Sequence, residues 1–407
     1  MGKIPEAVRW ALISASIFIL SSMVYDVIRL KGILKYYAEI DSPSSKSSNT
    51  KDIPSIDPSV HPEVTCKIVD VVEEVVDPTE ETDNIQKVIG YQNNKVGLYI
   101  YAEVEDYVDY AEELVNSNGG DWGYVLIPIN VKETNKSRWE SLFESLRKKH
   151  LIPIIQLWDL DLDDIKERDK QITKSAHFLN NLEWPIKNRY ISVYNEPNDA
   201  KFWKGKVNPQ EYAEVLNETI KAFKSLDSDF FIMNGALNSS ARTGGDYLDA
   251  EVFMIRMNQQ VPGIFRKLDG WASHPYPQPN FSGSPRAIGR DSIRAYEWEL
   301  NILRWRFGVV NLPVFITETG WAHKEDENYR DGEKTQYPLS QHKVADYFEY
   351  AFKNIWLPDR KVVGVAPFTR RYDAPFDNFS WITQDGNFDP QVLAVQNIKK
   401  VEGKPPT

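Results

Sequence analysis

Two glutamates stand where apolar runs stop. The run "NRYISVYNEPN" (188–198) is rich in the β-branched and aromatic side chains that strands favour, and it ends in Asn195, Glu196 and Pro197. The run "LPVFITETGW" (312–321) ends the same way and delivers Glu318. One carboxylate at a strand tip can be an accident of a loop. Two that face each other across a cleft can split a glycosidic bond: one protonates the leaving oxygen, and the other attacks the anomeric carbon or directs water at it. Carboxyls ~5 Å apart would retain anomeric configuration and carboxyls ~6.5–9.5 Å apart would invert it. The short distance, with retention, is the expectation here.

Facing carboxylates need a scaffold that turns both strand tips to one mouth. Six further apolar runs share the strand character of these two: 95–102, 122–131, 151–159, 229–238, 268–277 and 362–373. Helical patterns separate them. In "NPQEYAEVLNETIKAFKSLD" (208–227), Asn208 is placed to cap, Pro209 opens the helix, and Tyr212, Val215, Leu216, Ile220 and Phe223 form one apolar stripe. Strands alternating with helices imply parallel pairing through right-handed crossovers. Eight such repeats predict a closed (β/α)8 barrel, whose functional groups sit at the C-terminal ends of the strands. A doubly wound open sheet is the alternative, but no Gly-rich phosphate turn follows any run, so nothing points to a nucleotide. Glu196 then ends strand four and Glu318 ends strand seven.

At this point a resemblance appears. Asn195-Glu196-Pro197 on strand four, with Thr317-Glu318-Thr319-Gly320 on strand seven, resembles the signature of clan A glycoside hydrolases, which are retaining β-glycosidases and β-glycanases on a (β/α)8 barrel. The resemblance implies a carbohydrate substrate, with Glu196 as general acid/base and Glu318 as nucleophile. It implies that Asn195 hydrogen-bonds the sugar 2-hydroxyl, and that His274 and Tyr276 of "SHPYP" stand near the nucleophile at the end of strand six. Trp381 in "DNFSW" follows strand eight, near where the clan often has a tryptophan under the reacting sugar. Trp158, Trp203 and Trp321 are further candidates for stacking on sugar, with rim packing as the alternative for each. The chain departs from the clan on strand two, where Asn130 stands in place of an arginine. It also departs on strand eight, where "APFTRRYD" offers Arg370 and Arg371, either to an acidic sugar or to Asp373 and Asp377.

The double-displacement reaction needs two carboxyls that behave differently at one pH. Glu196 is expected to be raised by burial and by the charge of Glu318, while hydrogen bonds from Tyr276 or His274 keep Glu318 ionised.

The rest of the chain narrows the alternatives. A net charge of −11, with no basic stripe, argues against nucleic acid. The single cysteine, Cys66, rules out an intramolecular disulfide, and the six scattered histidines show no metal-ligand spacing. No cofactor is called for. Aromatic residues at 12% suit a protein that stacks sugars, but they suit a large core as well. Residues 1–30 carry an uncharged run from Trp10 to Tyr25, which predicts a signal-anchor helix crossing the cell membrane. Residues 31–90, dense in Ser, Pro and acids, predict a tether with a possible extra strand. Residues 91–400 would then form the barrel, working outside the membrane. A carbohydrate-binding scaffold without catalysis, or a transglycosylase using the same two glutamates, would share all these features.

Overall fold

The structure is a computed structural model that describes residues 90–101, 106–324, 339–383 and 386–407. The expected signal-anchor (1–30) and all but the last residue of the expected tether (31–90) lie outside the described residues. No helix among the described residues is long and apolar enough to cross a membrane.

All eight predicted runs contain strands: β1 (Gly97–Tyr99), β2 (Gly123–Asn130), β3 (Leu151–Trp158), β4 (Arg189–Val193), β5 (Phe230–Asn234), β6 (Trp271–Ser273), β7 (Val314–Ile316) and β8 (Val362–Val365). Strands β1 to β5 pair in parallel and in order, as do β6 to β8. Parallel bridges at Met233–Gly270 and Val96–Val365 join the two groups into a closed ring. The helices that follow are α1 (Asp106–Val115), α2 (Lys136–Lys148), α3 (Ile165–Asn180), α4 (Pro209–Leu226), α5 (Ala250–Gln260), α6 (Ala295–Phe307), α7 (Gln341–Ala351) and α8 (Pro390–Gln396).

Alternation along the strands builds two cores, because successive side chains point to opposite faces. Tyr124 and Leu126 of β2, Ile152 and Ile154 of β3, Tyr190 of β4 and Phe231 and Met233 of β5 fill the barrel interior. Their neighbours Val125, Ile127, Ile155, Ile191 and Ile232 pack outward under the helices. The interior is closed with hydrogen-bonded phenols: Tyr91 Oη lies 3.1 Å from Tyr124 Oη and 2.9 Å from Tyr190 Oη. Helix α4 forms as its sequence dictates. Asn208 accepts from the Glu211 amide, Pro209 occupies the first turn, and the predicted stripe from Tyr212 to Phe223 is buried. The Asn208 cap contributes about 1 kcal/mol.

Candidate active site

The tip of β4 is bent sharply. After Val193 the backbone turns through two left-handed non-glycine residues, Tyr194 (φ 71°) and Glu196 (φ 34°), at a cost of order 1–3 kcal/mol each. Neighbouring elements hold the bend. Tyr212 of α4 donates its hydroxyl to the Val193 carbonyl at 3.0 Å and accepts from the Gly235 amide at 2.6 Å. Position 235 must be glycine, because a Cβ there would lie 2.5 Å from the Val193 oxygen. The Glu196 amide donates to Ala236 at 2.9 Å. The result lifts Glu196 out of the strand direction and aims it over the barrel. Asn195 is fixed by a relay in which Gln156 donates to its Oδ1 (3.2 Å) and Trp158 Nε1 donates to Gln156 Oε1 (2.7 Å). That leaves the Asn195 amino group as a donor toward the cleft.

The tip of β7 is held between its two neighbours. The Thr317 amide donates to Ser273 (3.1 Å), Thr319 Oγ1 donates to the Pro275 carbonyl (2.9 Å), and the Phe368 amide donates to Thr319 (2.9 Å). This places Glu318 beside Tyr276, whose hydroxyl donates to Glu318 Oε2 at 3.1 Å. His274 sits between the two carboxylates: its Nδ1 is 3.1 Å from Glu196 Oε1 and 3.8 Å from Glu318 Oε2. Two oxygens at these distances from one nitrogen lie within about 7 Å of each other.

Burial distributes charge here in a way the sequence does not reveal. Burial pushes the Glu318 carboxyl up to about 7; the His274 charge opposes the push, Glu196 adds to it, and the Tyr276 hydroxyl opposes it. The expectation that hydrogen bonds from Tyr276 or His274 would keep Glu318 ionised is corrected to that extent. One phenol and one imidazole do not offset the desolvation of a carboxyl in a cleft lined by Tyr99, Phe281, Phe368 and Phe379. Burial disfavours the charged form of His274, yet Glu318, then Glu196 and Glu299, hold the imidazole above its ordinary range. The Tyr276 hydroxyl is pushed far up, by burial first and then by both glutamates, so it remains a donor.

The cleft has a volume of roughly 320 Å³ and brings together Glu196, Glu318, Asn195, Tyr276 and Trp158 from the predicted set, with His274 buried in its wall. Three predicted tryptophans are not brought there. Trp203 is 2% exposed, donates to Glu211 (2.8 Å) and packs between Tyr194 and Tyr212. Trp321 is 1% exposed, donates to the Gly283 carbonyl (2.8 Å) and packs against Phe348 of α7. Trp381 is equally buried and also packs against Phe348. All three pack into the barrel's outer core, and no ring face is left for a sugar.

Asn130 turns outward to Asp159 (3.0 Å). Arg370 lies over Tyr107 and Tyr110 of α1, at 4.4 and 5.1 Å, while Arg371 stands in a neighbouring depression with Tyr101 and Asp373. Several cleft residues carry no sequence signal: Tyr99, Asp199, Lys201, Phe202, Tyr247, Gln278 and Phe376 all line it from strand tips or loops. Asp199 is raised by burial, and the charge of Glu196 adds to the rise. Among the described residues, no group of three His, Cys, Asp or Glu side chains is placed to hold a metal ion.

No family profile matches the chain, and no curated protein matches it. Solved structures do. A fungal β-1,4-galactanase superposes with a TM-score of 0.51 at 14% identity, covering 76% of this chain and 100% of its own. An endo-β-1,3-glucanase from Pseudomonas viridiflava gives 0.49 at 15% identity, over 75% of this chain and 97% of its own. A β-glucosidase from Exiguobacterium marinum gives 0.47 at 10% identity, over 74% and 96%. At these identities the galactanase likeness establishes the fold, a (β/α)8 barrel, in agreement with the closed ring of eight strands.

Proposed function

We propose that the protein is a retaining glycoside hydrolase that cleaves β-glycosidic bonds of a poly- or oligosaccharide. The observation that carries this reading is the convergence of Glu196 from β4 and Glu318 from β7 on one imidazole nitrogen, inside a single cleft at the C-terminal ends of the strands. In the first step Glu196 gives its proton to the glycosidic oxygen while a Glu318 oxygen attacks the anomeric carbon. The bond to the leaving sugar breaks and a glycosyl ester forms. In the second step Glu196 takes a proton from water, the water oxygen displaces Glu318, and the sugar leaves with its configuration retained. Asn195, with its amino group turned to the cleft, would hold the sugar 2-hydroxyl, and Trp158 offers a stacking wall. Tyr276 donates to Glu318 and so favours its ionised, attacking form.

The β-1,4-galactanase that shares the barrel is consistent with this reading. Residues 1–30 would anchor the enzyme in the membrane with the barrel outside, where polymeric glycans are found. The test is reducing-sugar release across a panel of β-linked polysaccharides by wild type, Glu196→Gln and Glu318→Gln. Loss of about 10²–10⁴ in rate for Glu196→Gln, with a loss at least as large for Glu318→Gln, is expected. Equal binding of a glycan by all three proteins with no cutting would replace the hydrolase by a binding scaffold.

A further inference from the structure

Strand order puts β4 and β8 on opposite sides of the closed ring, four places apart in either direction. Their loops nevertheless touch. Lys201, beyond Glu196 on the β4 loop, holds its ammonium 4.5 Å from the ring centre of Phe376 on the β8 loop, and 5.2 Å from that of its neighbour Phe202. Both are favourable cation–π distances. Each end of the contact is braced by rings: Phe202 stands edge-on to Trp158 of β3 at 6.1 Å, and Phe376 stands edge-on to Tyr372 at 6.2 Å. Lys201 and Phe376 line the same cleft as the two glutamates. They stand on loops beyond the strands, whereas Glu196 and Glu318 stand at the strand tips.

We propose that Lys201 and Phe376 form a bar across the mouth, which makes the site selective for chain ends and short oligosaccharides over the interior of a polymer. The inference rests on the glycosidase reading and adds to it the shape of substrate that the cleft accepts. A long glycan laid across an open groove would meet the bar, whereas a free chain end enters beneath it. The bar can open, because an exposed cation–π contact biases its own opening by only a factor of a few. Its effect is therefore a graded preference.

The test compares the full-length wild type with Lys201→Ala, Phe376→Ala and Lys201→Arg. Each is assayed for kcat/KM on a soluble polysaccharide that the wild type cuts and on a short oligosaccharide of the same linkage. Removing either half of the bar is expected to raise the polymer-to-oligosaccharide ratio about two- to fivefold. The product lengths should broaden to a similar degree, while Lys201→Arg, which can still sit on the ring, keeps the wild-type ratio. An unchanged ratio and product pattern in both alanine variants overturns the bar even if all the proteins are active. A wild type that cuts no glycan would instead sink the hydrolase reading. The bar is then read by equilibrium binding, where Lys201→Ala must shift the polymer-to-oligosaccharide affinity ratio by the same factor or the bar falls as well. Absence of both cutting and binding overturns both.

Discussion

His274 Nδ1 lies 3.1 Å from Glu196 Oε1, and the same nitrogen is 3.8 Å from Glu318 Oε2. One buried imidazole from β6 thus ties together carboxylates delivered by β4 and β7. Without a positive charge between them, two carboxylates so close in a water-poor cleft would resist ionising together. The histidine, held above its ordinary range by its acidic neighbours, supplies that charge.

The first prediction concerns pH. As the proposed nucleophile, Glu318 would attack only when ionised, and burial has pushed it up to about 7. Its protonated form therefore accumulates as pH falls through 7 in the free enzyme, which is the state that kcat/KM reports. The acidic limb of kcat/KM is expected near 7. A limb near 4, where an unperturbed carboxyl titrates, would contradict the burial of Glu318 as described.

Replacing His274 by Gln keeps a hydrogen-bond donor and removes the charge. Because that charge pulls Glu318 down, its loss moves the acidic limb upward, by up to about one pH unit. A limb that stays in place or moves down would show that His274 does not act electrostatically on Glu318.

The tryptophans separate by role. Trp321→Ala empties a filled site against Phe348 and is expected to destabilise the fold by about 3–5 kcal/mol, read from the urea midpoint. Trp158→Ala is expected to raise KM, since its ring lines the cleft. Should Trp321→Ala raise KM and leave the urea midpoint unmoved, the assignment of that ring to the core would be wrong.

The barrel and the convergence of Glu196 and Glu318 were legible in the sequence for a physical reason: the strands are predominantly apolar runs between amphipathic helices, and both glutamates stand where such a run stops. The direction of a side chain past a strand tip was not legible. Trp321 follows Glu318 closely in the chain, yet Gly320 (φ 156°) lies between them and the indole packs outward on α7. Trp203 has the same fate because its loop folds back onto α4. Lys201, Tyr247 and Phe376 reach the cleft from loops, where residue type alone does not report which way the chain turns. The upward push on Glu318 escaped as well, because it depends on how deeply the folded chain buries that carboxyl.

Stability should depend on pH through two lysines remote from the cleft. Lys400 is buried, and its ammonium donates to the carbonyls of Val395 and Ile398 and to Ser117 Oγ. Lys95 donates to the carbonyls of Leu357 and Asp359. Burial lowers each to about 8, whereas in the unfolded chain both hold their protons to about 10.4. Between these values the unfolded state binds more protons at these two positions, so their contribution to stability rises with pH from about 8 to about 10. Buried phenols such as Tyr124 and Tyr276, pushed up by burial, oppose that rise as the unfolded chain's tyrosines ionise at about 10. The readout is therefore the urea-midpoint difference between wild type and Lys400→Met, which should grow in favour of wild type from pH 8 to 10. A difference that stays flat or shrinks over that range would refute the shift.

The central claim is that Glu318 is the nucleophile of a retaining hydrolase, and trapping tests it most directly. The enzyme is incubated with an activated 2-deoxy-2-fluoro glycoside of the sugar it releases, digested, and mapped by mass spectrometry. The account predicts one glycosyl adduct, carried by Glu318, and a product whose first-formed anomer has the configuration of the substrate. An adduct on Glu196, or an active enzyme that forms no adduct and releases the inverted anomer, would contradict it.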